Sequence, residues 1–304
     1  MVMKVEGLIS APVTPFTRDG SLNYSAIEAY GQILHRNGVS GAFVNGTTGE
    51  GLSLTMEERM KAAEKWVESV PHEFKIIVHV GHTSIAESIK LAKHAQDIGT
   101  FAIASLPSIF FKPSSVNQLV EYCSIVAAAA PNLPFYFYHI PSLSGVNFPI
   151  IDIIKQADGK IPNFAGVKYT YETLADALSC VEYANGKYNI LFGRDEMFMS
   201  GYILGMKGAV GSTYNVAPKI YLEIMRLCDQ GKIIEAKGFQ QKSIEFINTL
   251  IATGSFFGAL KACLGFLGIE VGNPRIPLPK LSDSQKEELK NKLNSIGFFE
   301  YALK

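Results

Sequence analysis

Gly41-Ala42-Phe43-Val44-Asn45-Gly46-Thr47-Thr48-Gly49-Glu50-Gly51 passes from an uninterrupted apolar run into a turn rich in glycine and threonine. Just beyond it, Thr55-Met56-Glu57-Glu58 has the Ser/Thr-x-x-Glu spacing of a capping box, which predicts a helix opening there and running through Val67. Strand, tight turn and capped helix make one βα unit. Apolar runs of the same kind recur at 7–13, 75–80, 101–106, 133–140, 164–167, 189–192 and 208–210. Most lack polar alternation, as strands covered on both faces do. Helical patterns lie between them. Residues 25–37 stop at Gly38, a residue suited to positive φ. Ser84-Ile85-Ala86-Glu87 repeats the capping-box spacing, and its helix stops at Gly99. A further helix over 115–130 stops before Pro131.

With the first, these runs make eight, separated by roughly 20 to 35 residues, the size of a βα unit. They predict a closed (β/α)8 TIM barrel, an α/β fold. The rival, a doubly wound nucleotide-binding sheet, is weakened because neither G-x-G-x-x-G after the first strand nor G-x-x-x-x-G-K-[ST] occurs. After about residue 216 the strand pattern stops, and 218–230, 233–252, 255–266 and 282–295 read as helix. The expectation is a single domain over 1–304. The barrel occupies 1–230 and a C-terminal helical extension, packed on it, occupies 231–304. Residues 272–279, Gly-Asn-Pro-Arg-Ile-Pro-Leu-Pro, form a rigid irregular connection within that extension.

Composition narrows the function. Lys plus Arg number 28 against 28 Asp plus Glu, and no run of like charge stands out, so neither a nucleic acid nor an acidic membrane surface is expected as a partner. Hydrophobic residues at 47% against 18% charged are enough to bury a core. Cys123, Cys180, Cys228 and Cys263 are spaced like no zinc ribbon or redox motif, which fits reduced thiols in a cytoplasmic protein. The first residues do not lead into a signal-peptide stretch, and no run approaches the ~18 apolar residues of a membrane span.

In such a barrel, reactive groups sit at the C-terminal ends of the strands. The turn 45–51 suits an anion nest for a carboxylate, although the same composition also suits an ordinary βα turn. In Phe135-Tyr136-Phe137-Tyr138-His139-Ile140-Pro141, alternation places Tyr136 and Tyr138 on one face, either as core aromatics or as a proton shuttle at the mouth. Phe164-Ala165-Gly166-Val167-Lys168-Tyr169-Thr170 ends in a lysine. At a strand exit that lysine would be solvated; in a barrel mouth it would be partly desolvated, neutral, and able to form a Schiff base. Gly193-Arg194-Asp195-Glu196 and Gly211-Ser212-Thr213-Tyr214-Asn215 offer acidic and hydroxyl groups to a polyol, and Asp195-Glu196 equally suits the acidic first turn of a helix. His79 and His82 raise the question of zinc, but alternation puts them on opposite faces with no third ligand beside them, so no metal is expected.

Gly46-Thr47-Thr48-Gly49-Glu50, Tyr138-His139-Ile140-Pro141, Gly166-Val167-Lys168 and Gly211-Ser212-Thr213-Tyr214-Asn215, in that order and spacing, resemble the N-acetylneuraminate lyase and dihydrodipicolinate synthase family of class I aldolases. The resemblance runs over nearly the whole chain and is nearest to the family's sialic acid lyases. It implies that Lys168 forms the Schiff base and that Tyr138 is the acid/base. It also implies that Thr47 and Thr48 hold the pyruvyl carboxylate and help orient Tyr138, Thr47 being counted with the catalytic residues. Thr170, Gly193, Asp195, Glu196 and Ser212 would bind the polyol. No cofactor is implied; the partners would be a sugar acid, pyruvate and further copies of the chain in a homotetramer. A related 2-keto-3-deoxy sugar acid aldolase, or a non-catalytic sugar-acid sensor on the same scaffold, are the alternatives. The Lys168 and Tyr138 pair argues against the sensor. Two features depart from the family. Leu143 stands where the dihydrodipicolinate synthases carry an arginine, and Phe110 and Phe111 occupy a stretch where many relatives present a tyrosine to the neighbouring subunit.

Overall fold

A computed structural model describes residues 4–304. Eight parallel strands close into a barrel in sequence order: β1 (Gly7–Ser10), β2 (Gly41–Val44), β3 (Lys75–His79), β4 (Ala102–Ser105), β5 (Phe135–His139), β6 (Phe164–Tyr169), β7 (Asn189–Phe192) and β8 (Gly208–Gly211), with β8 pairing back to β1. Each expected run marks one strand, although β6 and β8 extend past theirs, so that Lys168 lies within β6 and not after it. Some runs overshoot: Ala11 and Val13 lie beyond β1 yet are buried, because apolar sequence reports burial and not hydrogen-bonded pairing. The gaps after β5, β6 and β7 are filled by helices Ile150–Ala157, Leu174–Glu182 and Phe198–Ile203.

The side chains divide into two apolar clusters. Ile9, Phe43, Ile77, Ala104, Tyr136, Tyr138, Leu191 and Val210 fill the barrel, while Phe135, Phe137, Val167 and Tyr169 pack outward under the helices. The tyrosine and phenylalanine faces of β5 therefore segregate as alternation requires.

β6 is out of phase with simple alternation. Phe135 pairs with Phe164, but Tyr136 pairs with Gly166, so Ala165 is an extra residue in a bulge. Ala165 faces inward; uninterrupted alternation would then send Lys168 outward. The bulge restores the inward phase and pairs Lys168 with Tyr138. Gly166 is required there, since an added Cβ would overlap the Asn189 carbonyl.

Thr55 caps the helix Met56–Ser69 with both halves of the expected capping box. Ser84 does not cap Ile85–Asp97, contrary to its sequence pattern. Its N–H, which Glu87 would have to accept, donates to His82 Nδ1 at 3.0 Å, and Glu87 pairs with Lys90 instead. Helix Pro218–Asp229 completes the eighth unit, and Ile233–Ile251, Phe256–Phe266 and Asp283–Ser295 follow it. Ile233–Ile251 lies against Pro218–Asp229 and the turn Asp195–Met197. Among the described residues no single helix is long and apolar enough to cross a membrane.

Candidate active site

The C-terminal mouth of the barrel holds a cavity of about 280 Å³. Thr47, Thr48, Tyr138, Lys168, Thr170, Gly193, Asp195, Glu196 and Ser212 all line it. The residues that the resemblance assigned to the site are thus brought to one place by the ends of five different strands. Helices of the extension close one side with Ile247, Ile251, Phe256 and Phe257, an apolar wall that no motif announced.

Lys168 is 4% exposed, and its Nζ sits 4.0 Å from the ring centroid of Phe43 and 3.9 Å from that of Tyr138. Among the described residues no carboxylate lies within ion-pair distance of it. Ring faces give an ammonium only a modest attraction. Burial is the larger effect and pushes the Lys168 amine down to about 7, against an upward pull from Asp195. The amine is therefore substantially neutral near physiological pH.

The Tyr138 hydroxyl lies 3.2 Å from Thr47 Oγ1. Burial pushes its phenol up to about 12, so it stays protonated. His79 supports the ring edge-on, with centroids 6.0 Å apart. Leu106 N–H donates to His79 Nε2 at 3.3 Å, which leaves Nδ1–H to donate to the Asn45 carbonyl at 3.1 Å. Burial first, and the Arg59 cation second, hold His79 well below the usual imidazole range. His79 is thus a neutral structural donor and not a metal ligand. His82 spends Nδ1 on Ser84, as above.

The turn carrying Thr47 and Thr48 is conformationally costly. Asn45 and Glu50 both have left-handed φ, at 59° and 55°, which costs a non-glycine residue of order 1–3 kcal/mol. Both are held by buried polar contacts. Asn45 Nδ2 donates to the Arg59 carbonyl at 2.9 Å, and the 1%-exposed Arg59 donates to the carbonyls of His79 and Gly81. Glu50 is held from the C-terminal extension by Lys261, at 2.7 Å. Neither Arg59 nor Lys261 could be found from motif spacing, because each meets the turn only after the helices have docked.

On the far side, Asp195 is buried, and desolvation raises its carboxyl above the usual range. Thr213 donates to Asp195 Oδ2 through N at 2.9 Å and Oγ1 at 2.6 Å. Tyr221 and Ser243 continue that chain. Asp195 Oδ1 is buried without a hydrogen-bond partner in the protein, and Asp195 is among the residues that line the cavity. Gly211 permits this packing, because a Cβ there would strike the Asp195 carboxylate. Asp195 opens a short 3-10 turn, Asp195–Met197, leading into Phe198–Ile203, so it stands in an acidic first turn and also lines the cavity. Arg194 lies 3.2 Å from Glu196 and 3.4 Å from Glu172 at the rim. Leu143, Phe110 and Phe111 stand outside the cavity and are 64%, 78% and 84% exposed.

A closed barrel with a desolvated lysine, a phenol and a hydroxyl-rich turn at its mouth is the arrangement of an imine-forming aldolase. The chain belongs to the dihydrodipicolinate synthetase family, whose sequence profile it matches over residues 4–296. It is 38% identical to the N-acetylneuraminate lyase of Rattus norvegicus over 302 residues, covering 98% of this chain and 94% of that one. Its fold superimposes on Proteus mirabilis N-acetylneuraminate lyase with a TM-score of 0.94 at 40% identity, covering 97% and 100% of the two chains. For the N-acetylneuraminate lyase of Aliivibrio salmonicida the TM-score is 0.94 at 38% identity, covering 97% and 98%.

Proposed function

We propose that this chain is a class I aldolase that reversibly cleaves N-acetylneuraminate to N-acetylmannosamine and pyruvate. The observation that carries the chemistry is Lys168, buried, unpaired with any described carboxylate and facing Tyr138 across the barrel mouth. The substrate assignment is supported by its N-acetylneuraminate lyase relatives.

In this reading the neutral Lys168 amine adds to the C2 ketone, and with one proton taken up from solvent the adduct expels water and leaves an iminium. Thr47, Thr48 and neighbouring backbone N–H groups hold the C1 carboxylate. The iminium accepts the electron pair of the C3–C4 bond as the C4 hydroxyl loses its proton. Tyr138 enters as a phenol, so it relays that proton: it accepts the C4 proton while its own passes to the carboxylate held beside it. N-acetylmannosamine leaves, the enamine is protonated at C3, and water releases pyruvate from Lys168. Thr170, the Gly193 backbone, Asp195 Oδ1, Glu196 and Ser212 receive the polyol. The chain acts in the cytoplasm, as one domain, and assembles as a homotetramer.

Borohydride reduction in the presence of pyruvate tests the covalent step, with the adduct mapped by mass spectrometry. Labelling is expected at Lys168 and nowhere else; its absence there would sink the mechanism. Because the neutral amine is the nucleophile, labelling at limiting pyruvate is expected to rise about tenfold per pH unit below 7 and to level off above it. A rise that continues to pH 10 would mean that Lys168 is not desolvated. Substrate choice is read by pyruvate release from N-acetylneuraminate against 2-keto-3-deoxygluconate. Faster release from the second would replace the sialic acid assignment by the other sugar acid.

A further inference from the structure

The most completely buried ion pair in the described chain has no part in the mechanism above. Lys261 and Glu50 have side chains 1% and 0% exposed, with Nζ 2.7 Å from Oε1. Lys261 comes from helix Phe256–Phe266 of the extension, and Glu50 lies two residues after Thr48 in the turn. The remaining valences are also used. Lys261 donates to the carbonyls of Thr14 at 2.9 Å and Asn273 at 3.2 Å, and Glu50 Oε2 accepts from Arg275 N–H at 2.7 Å. Arg275 in turn forks onto Glu58, the capping-box residue of the helix that follows the turn. Thr14 Oγ1 donates to the Gly49 carbonyl at 2.5 Å.

Burying two charges is a poor way to gain stability, since desolvation offsets most of their attraction. What the pair supplies is geometry. Glu50 must be kept in a left-handed conformation that its side chain disfavours. Its carboxylate is fixed by Lys261 Nζ and by Arg275 N–H, from two separate segments, and Lys261 is itself held by the Thr14 carbonyl. The opposite end of the turn is fixed by His79 and Arg59 through Asn45. Thr47 and Thr48 are suspended between these two anchors, and Thr47 meets Tyr138.

We infer that Lys261 and Glu50 are positioning residues for the carboxylate-binding turn, so that the C-terminal helices set the affinity for the pyruvyl end of the substrate. The inference rests on the aldolase reading and adds to it a role for residues outside the cavity. Neither side chain lines the cavity, so an effect on pyruvate binding would have to pass through the turn.

The experiment is borohydride labelling of the full-length protein, Lys261→Met and Glu50→Gln, over a range of pyruvate concentrations. Lys168 adduct is quantified and melting temperature recorded. The pyruvate concentration giving half-maximal labelling is expected to rise about tenfold in Lys261→Met and about threefold in Glu50→Gln. The labelling rate at saturating pyruvate should stay within about twofold, because the environment of Lys168 is untouched. In Glu50→Gln/Lys261→Met, where no lone charge is left buried, the melting temperature should recover and the half-saturation should not. Unchanged half-saturation with only a lowered melting temperature would overturn the inference, as would recovery of both in the double variant. Should Lys261→Met fail to fold, Glu50→Gln decides alone, since the amide keeps the shape of the carboxylate. If the unaltered protein forms no adduct at Lys168, the aldolase reading itself falls, which is a separate result.

Discussion

Lys168→Met is expected to abolish the Lys168 adduct and to lower turnover by at least about 10⁴-fold, because no other described amine reaches the cavity to form the imine. The protein should nevertheless stay folded. Lys168 is buried among the Phe43 and Tyr138 rings, and an unbranched thioether of similar length fits that space without a polar group to desolvate. The pH dependence carries a further signature. In the unfolded chain the lysine titrates near 10.4, whereas in the fold it titrates at about 7. Between these values the unfolded state binds more protons, so the unaltered protein gains stability as pH climbs from about 7 towards 10, and below 7 it bears the full cost of the buried lysine. The melting temperature of Lys168→Met should therefore exceed that of the parent most clearly below pH 7, and the gap should narrow towards pH 10. A variant less stable than the parent at pH 6 would show that Lys168 is well solvated or paired. Residual turnover would require another nucleophile.

Tyr138→Phe is the second large expectation. It removes one oxygen and leaves the ring that Lys168 and His79 contact. Cleavage should slow by ~10² to 10⁴-fold, the usual contribution of a positioned proton-transfer group. Pyruvate labelling of Lys168 should persist, since the electrophile and the amine are both still present. Comparing kcat for cleavage with the labelling rate separates the two steps. Cleavage within about fivefold of the parent would remove Tyr138 from the proton path, and loss of labelling would place it in imine formation instead.

Much of this was legible in the amino-acid order, for identifiable reasons. The strands of a closed parallel barrel are covered by side chains within and helices without, so their apolar runs carry no interruption and are easily seen. Residues at strand ends are brought together by the topology, so once the barrel was inferred, Thr47, Tyr138, Lys168, Asp195 and Ser212 followed as neighbours. What escaped was whatever depends on helices docking across the sequence. Arg59, in a helix that otherwise reads as amphipathic, turns inward to satisfy the carbonyls at the end of β3. Asn215 has the same character: it accepts from Ser10 Oγ at 2.5 Å and donates to the carbonyls of Ala11 and Ser212, tying β1 to the turn after β8. Ser84 failed in the other direction. Its local pattern was right for a cap, but its N–H goes to the His82 imidazole and its side chain makes no bond to the helix.

The extra residue in β6 has a consequence for how relatives of this chain should be compared. The side of the wall on which an amine emerges is set by a parity, odd or even, counted from the last paired residue. Ala165 changes that parity once, just before Lys168. A sequence with the same letters around its lysine but one residue fewer ahead of it would present that amine to the outer helical layer, and an alignment that closed the gap would hide the difference. Whether a related barrel has its nucleophile indoors is therefore a matter of counting as well as of identity.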